Sequence, residues 1–214
     1  MSSSQPRSVK ISDNERGGWS SDRPRRAGEP ERPARKQDVS VRGRVLAPTD
    51  RMRYSPGSLL VIACADPKQR ARFTARVIDE QSAVLSAEKV RGLLAGKVPA
   101  DQLEAKAQAL LDAAAAKRFA AGQTVVVPLE TLGAEERERF VRLAAAHRRA
   151  RHLVLVEVGK DAVPDEDKEL LGELRTALNA GQLGQEGFMT SLRLGGHVME
   201  ELKKIVFAPP PADD

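Results

Sequence analysis

Four short apolar runs, each followed by a stretch of helical composition, constrain this chain more than anything else in it. The first, Leu59 to Cys64 (LLVIAC), is continuous rather than alternating, as a strand buried on both faces of a parallel sheet requires. Ala83 to Ser86 is a second short run, Thr124 to Leu129 (TVVVPL) a third and His152 to Val158 (HLVLVEV) a fourth. Helices are predicted between them: Lys68 to Glu80, one capped by Ser86 and running to Leu94, and Ala100 to Ala121 with Gly122 placed to end it. Further helices are expected over 134–150 and 165–180, with a short one leading to Gln185. Phe188 to Leu194 reads as a fifth strand and the residues through Ile205 as a last helix. Strands alternating with helices imply an α/β domain, a three-layer α/β/α sandwich around a mostly parallel sheet. Ligands of such sheets bind at the carboxyl ends of the strands, where the strand order reverses.

The net charge of +5 is unevenly placed. Residues 1 to 55 hold thirteen Lys and Arg against seven Asp and Glu, whereas the remainder holds 22 against 23. That first quarter has only thirteen apolar residues and five prolines, too little apolar surface to offset the entropy of ordering it. The chain is therefore expected to divide into a disordered basic arm (1–55), a folded domain (56–207) and a flexible tail (208–214). Val39 to Leu46 alternates weakly and could add a strand. An Arg-rich arm can attract nucleic acid or an acidic partner, although Trp19 and Tyr54 alone are available there to stack on bases.

Other classes are set aside by what the chain lacks. Its single cysteine, Cys64, forms no disulfide framework or zinc cluster. No apolar run approaches the roughly eighteen residues of a membrane span. The first residues lack the apolar centre of a secretory signal, so a cytoplasmic setting is the expectation. His147, His152 and His197 have no ligand-type neighbours at metal spacing, and no metal site is expected from them.

The flanks PGSLLVIA and RFTARV, the segments VLSAEKVRGLLAG and AAAKRFAAGQTVVV, the helix AEERERFVRLAAAHRR and the strand HLVLVEV resemble the P-loop kinases of the bacterial polynucleotide kinase type. They occur in that family's order and at about its spacing, from Pro56 to Phe188. The resemblance implies a P-loop NTPase-like fold whose phosphate-gripping loop follows the first strand. Such a loop needs glycines so that bare amides surround the phosphates, a lysine for the β and γ phosphates, and a Ser or Thr for magnesium. The matching slots here are Cys64, Gln69, Arg70 and Ala71, and none carries the expected residue.

Carried over residue by residue, the resemblance puts Glu88 in the slot of the acceptor-side base and keeps an arginine three residues on, Arg91. The family's aspartate at the end of the third strand falls on Pro128. The arginines of its lid fall near Glu169 and Leu170, leaving Arg175 as the nearest candidate. Arg70 retains a charge but not the compact ammonium of lysine. Asp66 would repel a triphosphate and Pro67 removes an amide. Glu88 and Arg91 form either a weak anion site or a solvated pair. Glu130 and Glu157, at strand ends, are candidates for an alternative metal site. The expectation is a degenerate P-loop kinase-like domain, a non-catalytic (pseudokinase) binding or scaffolding protein needing no cofactor. Its partner would be another protein, or nucleic acid through residues 1 to 55. The alternative is a divergent ATP- and magnesium-dependent nucleotide or polynucleotide kinase in which Arg70, Glu88 and Arg91 still work.

Overall fold

The computed structural model describes residues 51–209. Residues 1–50 of the expected arm, including the weak strand signal at Val39 to Leu46, and residues 210–214 of the expected tail lie outside the described residues. So does the side chain of His197.

A four-stranded, wholly parallel sheet forms the middle layer, in the order β3 (Val125–Pro128), β2 (Leu59–Ala63), β4 (Arg151–Val156), β5 (Thr190–Leu194). Leu60 of β2 sits opposite Val126 of β3 and His152 of β4. Both faces of the sheet are covered, which explains why β2 is apolar at every position. Leu59, Val61 and Ala63 pack with α3 (Leu103–Ala120), α4 (Ala134–Ala146) and α5 (Lys168–Asn179) through Leu111, Phe119, Phe140 and Leu174. Leu60 and Ile62 face the other way, onto Phe73 and Val77 of α1 (Pro67–Val77). The expected three-layer α/β/α sandwich with a parallel sheet is the architecture observed. Among the described residues no helix is long and apolar enough to cross a membrane.

Local signals fixed several boundaries. The Ser86 hydroxyl accepts from the Lys89 amide and starts α2 (Ala87–Leu94). Gly122, at φ +73°, ends α3, because only glycine adopts that conformation without steric cost. Gly57 faces it across the turn into β2, where a Cβ would lie 2.6 Å from the Gly122 carbonyl oxygen.

Three expectations need correction. Ala83 to Ser86 is not a strand but a 3₁₀ turn over Gln81–Ala83, followed by one bridge from Val84 to Val126 that extends the sheet beyond β3. The last helix does not run to Ile205. It stops after α6 (His197–Glu201), and Lys204–Phe207 is strand β6. β6 pairs in parallel with β1 (Arg51–Tyr54), so these four residues, placed near the end of the expected arm, belong to the folded domain. Met52, Tyr54 and Ile205 of this two-stranded ribbon turn inward and join α1 in covering the sheet. The ribbon does what a helix would otherwise do in that layer.

Candidate functional site

The strand order reverses at β2 and β4, whose successors lie on opposite sides, so the crevice to inspect lies past Ala63 and Val156. Only Cys64, Ala65 and Asp66 separate β2 from α1. Asp66 is the N-cap of that helix, and its Oδ1 accepts from the Lys68 amide at 2.8 Å and the Gln69 amide at 3.3 Å. The free amides at a helix start are what would grip a phosphate, and here the chain's own carboxylate takes them. Pro67, at the first helical position, has no amide to offer.

The expected loop equivalents are thus spread over a strand end and a helix turn. Cys64 is buried at 2% exposure, its thiol pushed up by burial and donating to the Asp66 carbonyl at 3.4 Å. Gln69, Arg70 and Ala71 belong to the first turns of α1. The Arg70 guanidinium reaches back over the strand ends, within 3.4 Å of the Cys64 carbonyl and 3.5 Å of the Glu130 carbonyl. Ala71, in the slot that the resemblance gives to a metal ligand, carries only a methyl group.

The end of β3 is closed in the same manner. Glu136 of α4 accepts from the Thr131 amide (2.9 Å), the Glu130 amide (3.1 Å) and the Thr131 hydroxyl (3.1 Å). Arg91 makes a two-pronged pair with the Glu130 carboxylate, one prong 2.7 Å long, and also touches Glu104 at 3.4 Å. The hydrogen bonds to Glu130 raise the Arg91 pKa still further above its ordinary value. Glu88 is exposed and does not pair with Arg91, which corrects the expectation of a solvated pair between them. It lines an open cleft of about 430 Å³ with Arg70, Ala71, Lys89, Pro128 and Glu130.

Past β4, Arg175 of α5 binds Glu157 through two nitrogens, one at 2.9 Å, and Arg193 of β5 reaches the same carboxylate at 2.5 Å. Burial alone would raise the Glu157 pKa, but the hydrogen bond and charge of Arg175, with those of Arg193, outweigh it and hold the group below its ordinary value. Arg175, expected as the nearest candidate for a lid arginine, is neutralised by an internal partner. Glu130 and Glu157 are both committed to arginines and do not come together as a metal pair. Among the described residues no group of three or more His, Cys, Asp or Glu is placed to hold a metal ion.

The donor set does not fit magnesium-bound ATP. The α1 amides are capped, Ala71 and Pro128 have no ligand atom in their side chains, and Arg91 and Arg175 are already paired. Asp66 could have been recognised from sequence as an N-cap, since Asp-Pro followed by a helical run is a start signal. Nothing in the sequence marked Glu136, whose role depends on how α4 returns to the end of β3.

No protein-family model matches the chain, and no curated protein sequence matches it. Among solved structures, the tunicamycin resistance protein of Deinococcus radiodurans is similar over 72% of this chain and 99% of that one, at 16% identity and a TM-score of 0.40.

Proposed function

We propose that the chain is a non-catalytic binding or scaffolding protein that keeps the architecture of a P-loop kinase-like domain without its phosphate grip. The observation that carries this reading is the Asp66 carboxylate on the first amides of α1. A bound triphosphate would have to displace that carboxylate and then face its negative charge. The capping of the Glu130 and Thr131 amides by Glu136 and the pairing of Arg91 and Arg175 support the same conclusion. Phosphoryl transfer depends on metal positioning and on electrostatic stabilisation of the transferred group. This edge is poor in both, because Arg91 and Arg175 are neutralised before a ligand arrives and Arg70, which meets only carbonyl oxygens, is the guanidinium left over the strand ends.

Isothermal titration of the full chain with ATP and magnesium tests the reading directly. No saturable heat is expected up to millimolar nucleotide, and magnesium-dependent binding in the micromolar range would overturn it. The second reading, a divergent nucleotide or polynucleotide kinase, draws on the open cleft that Arg70, Glu88 and Lys89 line. It requires labelled phosphate to pass from ATP to a nucleoside or a 5′-hydroxyl oligonucleotide, and that transfer to disappear in Glu88→Gln.

A further inference from the structure

The central sheet is wholly parallel, so α3, α4 and α5, which pack on the same face of it, all run from its carboxyl edge to its amino edge. Their starts carry acids, among them Asp101 at α3, Glu135 at α4, and Glu166, Asp167 and Glu169 at α5. Cations gather at the opposite edge. Lys117 and Arg118 lie in the last turn of α3, Arg148 and Arg149 follow the end of α4, and Arg151 opens β4. Acids at helix starts and bases at helix ends complement the helix dipole. Because the helices are parallel, these contributions give the layer one negative and one positive edge.

The charges are not consumed inside the fold. Arg149 donates to the Phe119 carbonyl at 2.7 and 2.9 Å, which draws the ends of α3 and α4 together, and Arg151 donates to the Arg149 and Gly187 carbonyls. Segments 117–123 and 147–153 contain no Asp or Glu, and Glu186 nearby is held by Arg137 at 2.6 and 2.9 Å. None of the five cations meets a carboxylate, and none of the five acids named above meets a basic group, among the described residues. Arg148 is strained as well. Among the described residues it is the one non-glycine with a positive φ, 55°, at a position after a helix where glycine is favoured. Its side chain is exposed and makes no ion pair or hydrogen bond there.

We infer that the chain assembles end to end, the basic amino edge of one copy docking on the acidic carboxyl edge of the helix layer in the next. The receiving edge holds a cleft of about 470 Å³ walled by Glu104, Glu135 and Leu170, whose arginines, Arg139 and Arg142, are paired with Asp112 and Glu138. Arg148 is the cation that enters it. Met189, 51% exposed and bound through its amide to the Arg151 carbonyl, gives the basic edge an apolar contact to set against Leu170. The occupant is a second copy because the same chain carries both complements, whereas a foreign polyanion would satisfy the basic edge and leave the acidic one unpartnered. Contact between unlike surfaces adds copies in a line or a ring and does not use up both edges in a pair. Neither edge involves the α1 amides, so nucleotide bound at those amides would overturn the reading above and leave this one standing.

Sedimentation velocity of the full chain tests the inference over a range of protein concentrations. It is run in about 0.01 M salt, where charges attract over about 30 Å, and in about 1 M salt, where they attract over about 3 Å. Average mass should rise with concentration in the first and stay at the monomer in the second. Residues 1 to 55 carry cations of their own, so charge reversals identify the edges. Lys117→Glu, Arg118→Glu and Arg148→Glu together make one variant, and Glu135→Lys, Glu166→Lys and Glu169→Lys together make the other. Each alone should associate at least about tenfold more weakly, because edges of like sign then meet. Mixed in equal amounts they should associate again, since each supplies the edge that the other has lost. Arg148→Gly relieves the positive φ, so its folding is not at risk, and it should weaken association about three- to tenfold. A chain that stays monomeric in low salt, association that persists in high salt, undiminished association of either reversed variant or of Arg148→Gly, or no recovery on mixing would each overturn the inference.

Discussion

Arginines occur at the carboxyl edge of the sheet and on the outer face of the ribbon, and the two regions treat them in opposite ways. At the edge, Arg91 is clasped by Glu130, and Arg175 and Arg193 share Glu157, whose side chain is only 11% exposed. On the ribbon, Arg51 and Arg53 project into solvent. The edge resembles a site that has been filled from within, since even its backbone amides are taken by Asp66 and Glu136. On the ribbon Lys204 pairs with Asp79 and Arg53 meets the Pro209 carbonyl, and neither arginine is held by a carboxylate among the described residues. Position in the fold, rather than residue type, decides whether a cation is available to a ligand.

The largest effect expected lies beneath the ribbon, where the Tyr54 ring packs 4.5 Å from that of His152. Burial, with a smaller contribution from the Arg151 charge, lowers the His152 pKa from 6.5 to about 4. Its folded value is the lower one, so as pH falls from about 6.5 toward 4 the unfolded chain takes up a proton that the native chain refuses. Stability present at neutral pH should decline through that window by up to about 3 kcal/mol. Denaturant titrations at a series of pH values should show this decline, and His152→Gln should flatten it. An equal slope in that variant would mean that the ribbon does not seal His152 from water.

The next prediction concerns the edge. Glu157→Ala leaves Arg175 and Arg193 without their carboxylate and should cost about 2 kcal/mol in chemical denaturation, less than a fully buried pair because both arginines are partly solvated. Asp66→Ala removes the helix cap and should cost about 1 kcal/mol. It also frees the α1 amides, so weak phosphate binding measured by titration in this variant alone would sharpen the contrast. The smallest effect is expected on the ribbon: Arg51→Ser with Arg53→Ser should shift stability by less than about 0.5 kcal/mol. A loss comparable to that of Glu157→Ala would break the comparison, because it would show that the ribbon cations hold the fold together.

Much of the central layer was legible because it is written locally. The continuous runs at Leu59, Thr124 and His152 each became a strand, and Ser86 and Gly122 marked a helix start and stop. The ribbon was not legible. RMRY is four residues long with two charges, and KIVF follows a helix after only Leu202 and Lys203, with no glycine or proline between, so neither announces a strand. They pair across more than 150 positions of chain, and no local pattern records such a partner. The candidate site divides in the same way. The loss of the phosphate-loop residues could be read directly from Cys64, Gln69, Arg70 and Ala71. The pairing of Arg91 with Glu130 could not, because those residues are 39 positions apart and meet only once α2 and the end of β3 are in place.

The order of apolar runs and helical stretches determined an α/β sandwich with a parallel sheet, since strands that are apolar at every position must be covered on both faces. The sequence also determined that the loop after β2 lacks the glycines, lysine and hydroxyl that a phosphate grip needs. Only the tertiary structure decided what took that place. Whether a charged group pairs or points into water depends on which distant residue lies within a few ångströms, and chain order does not record that distance. Folding brings Glu157 between Arg175 and Arg193, and the same folding leaves Arg51 and Arg53 on the outside.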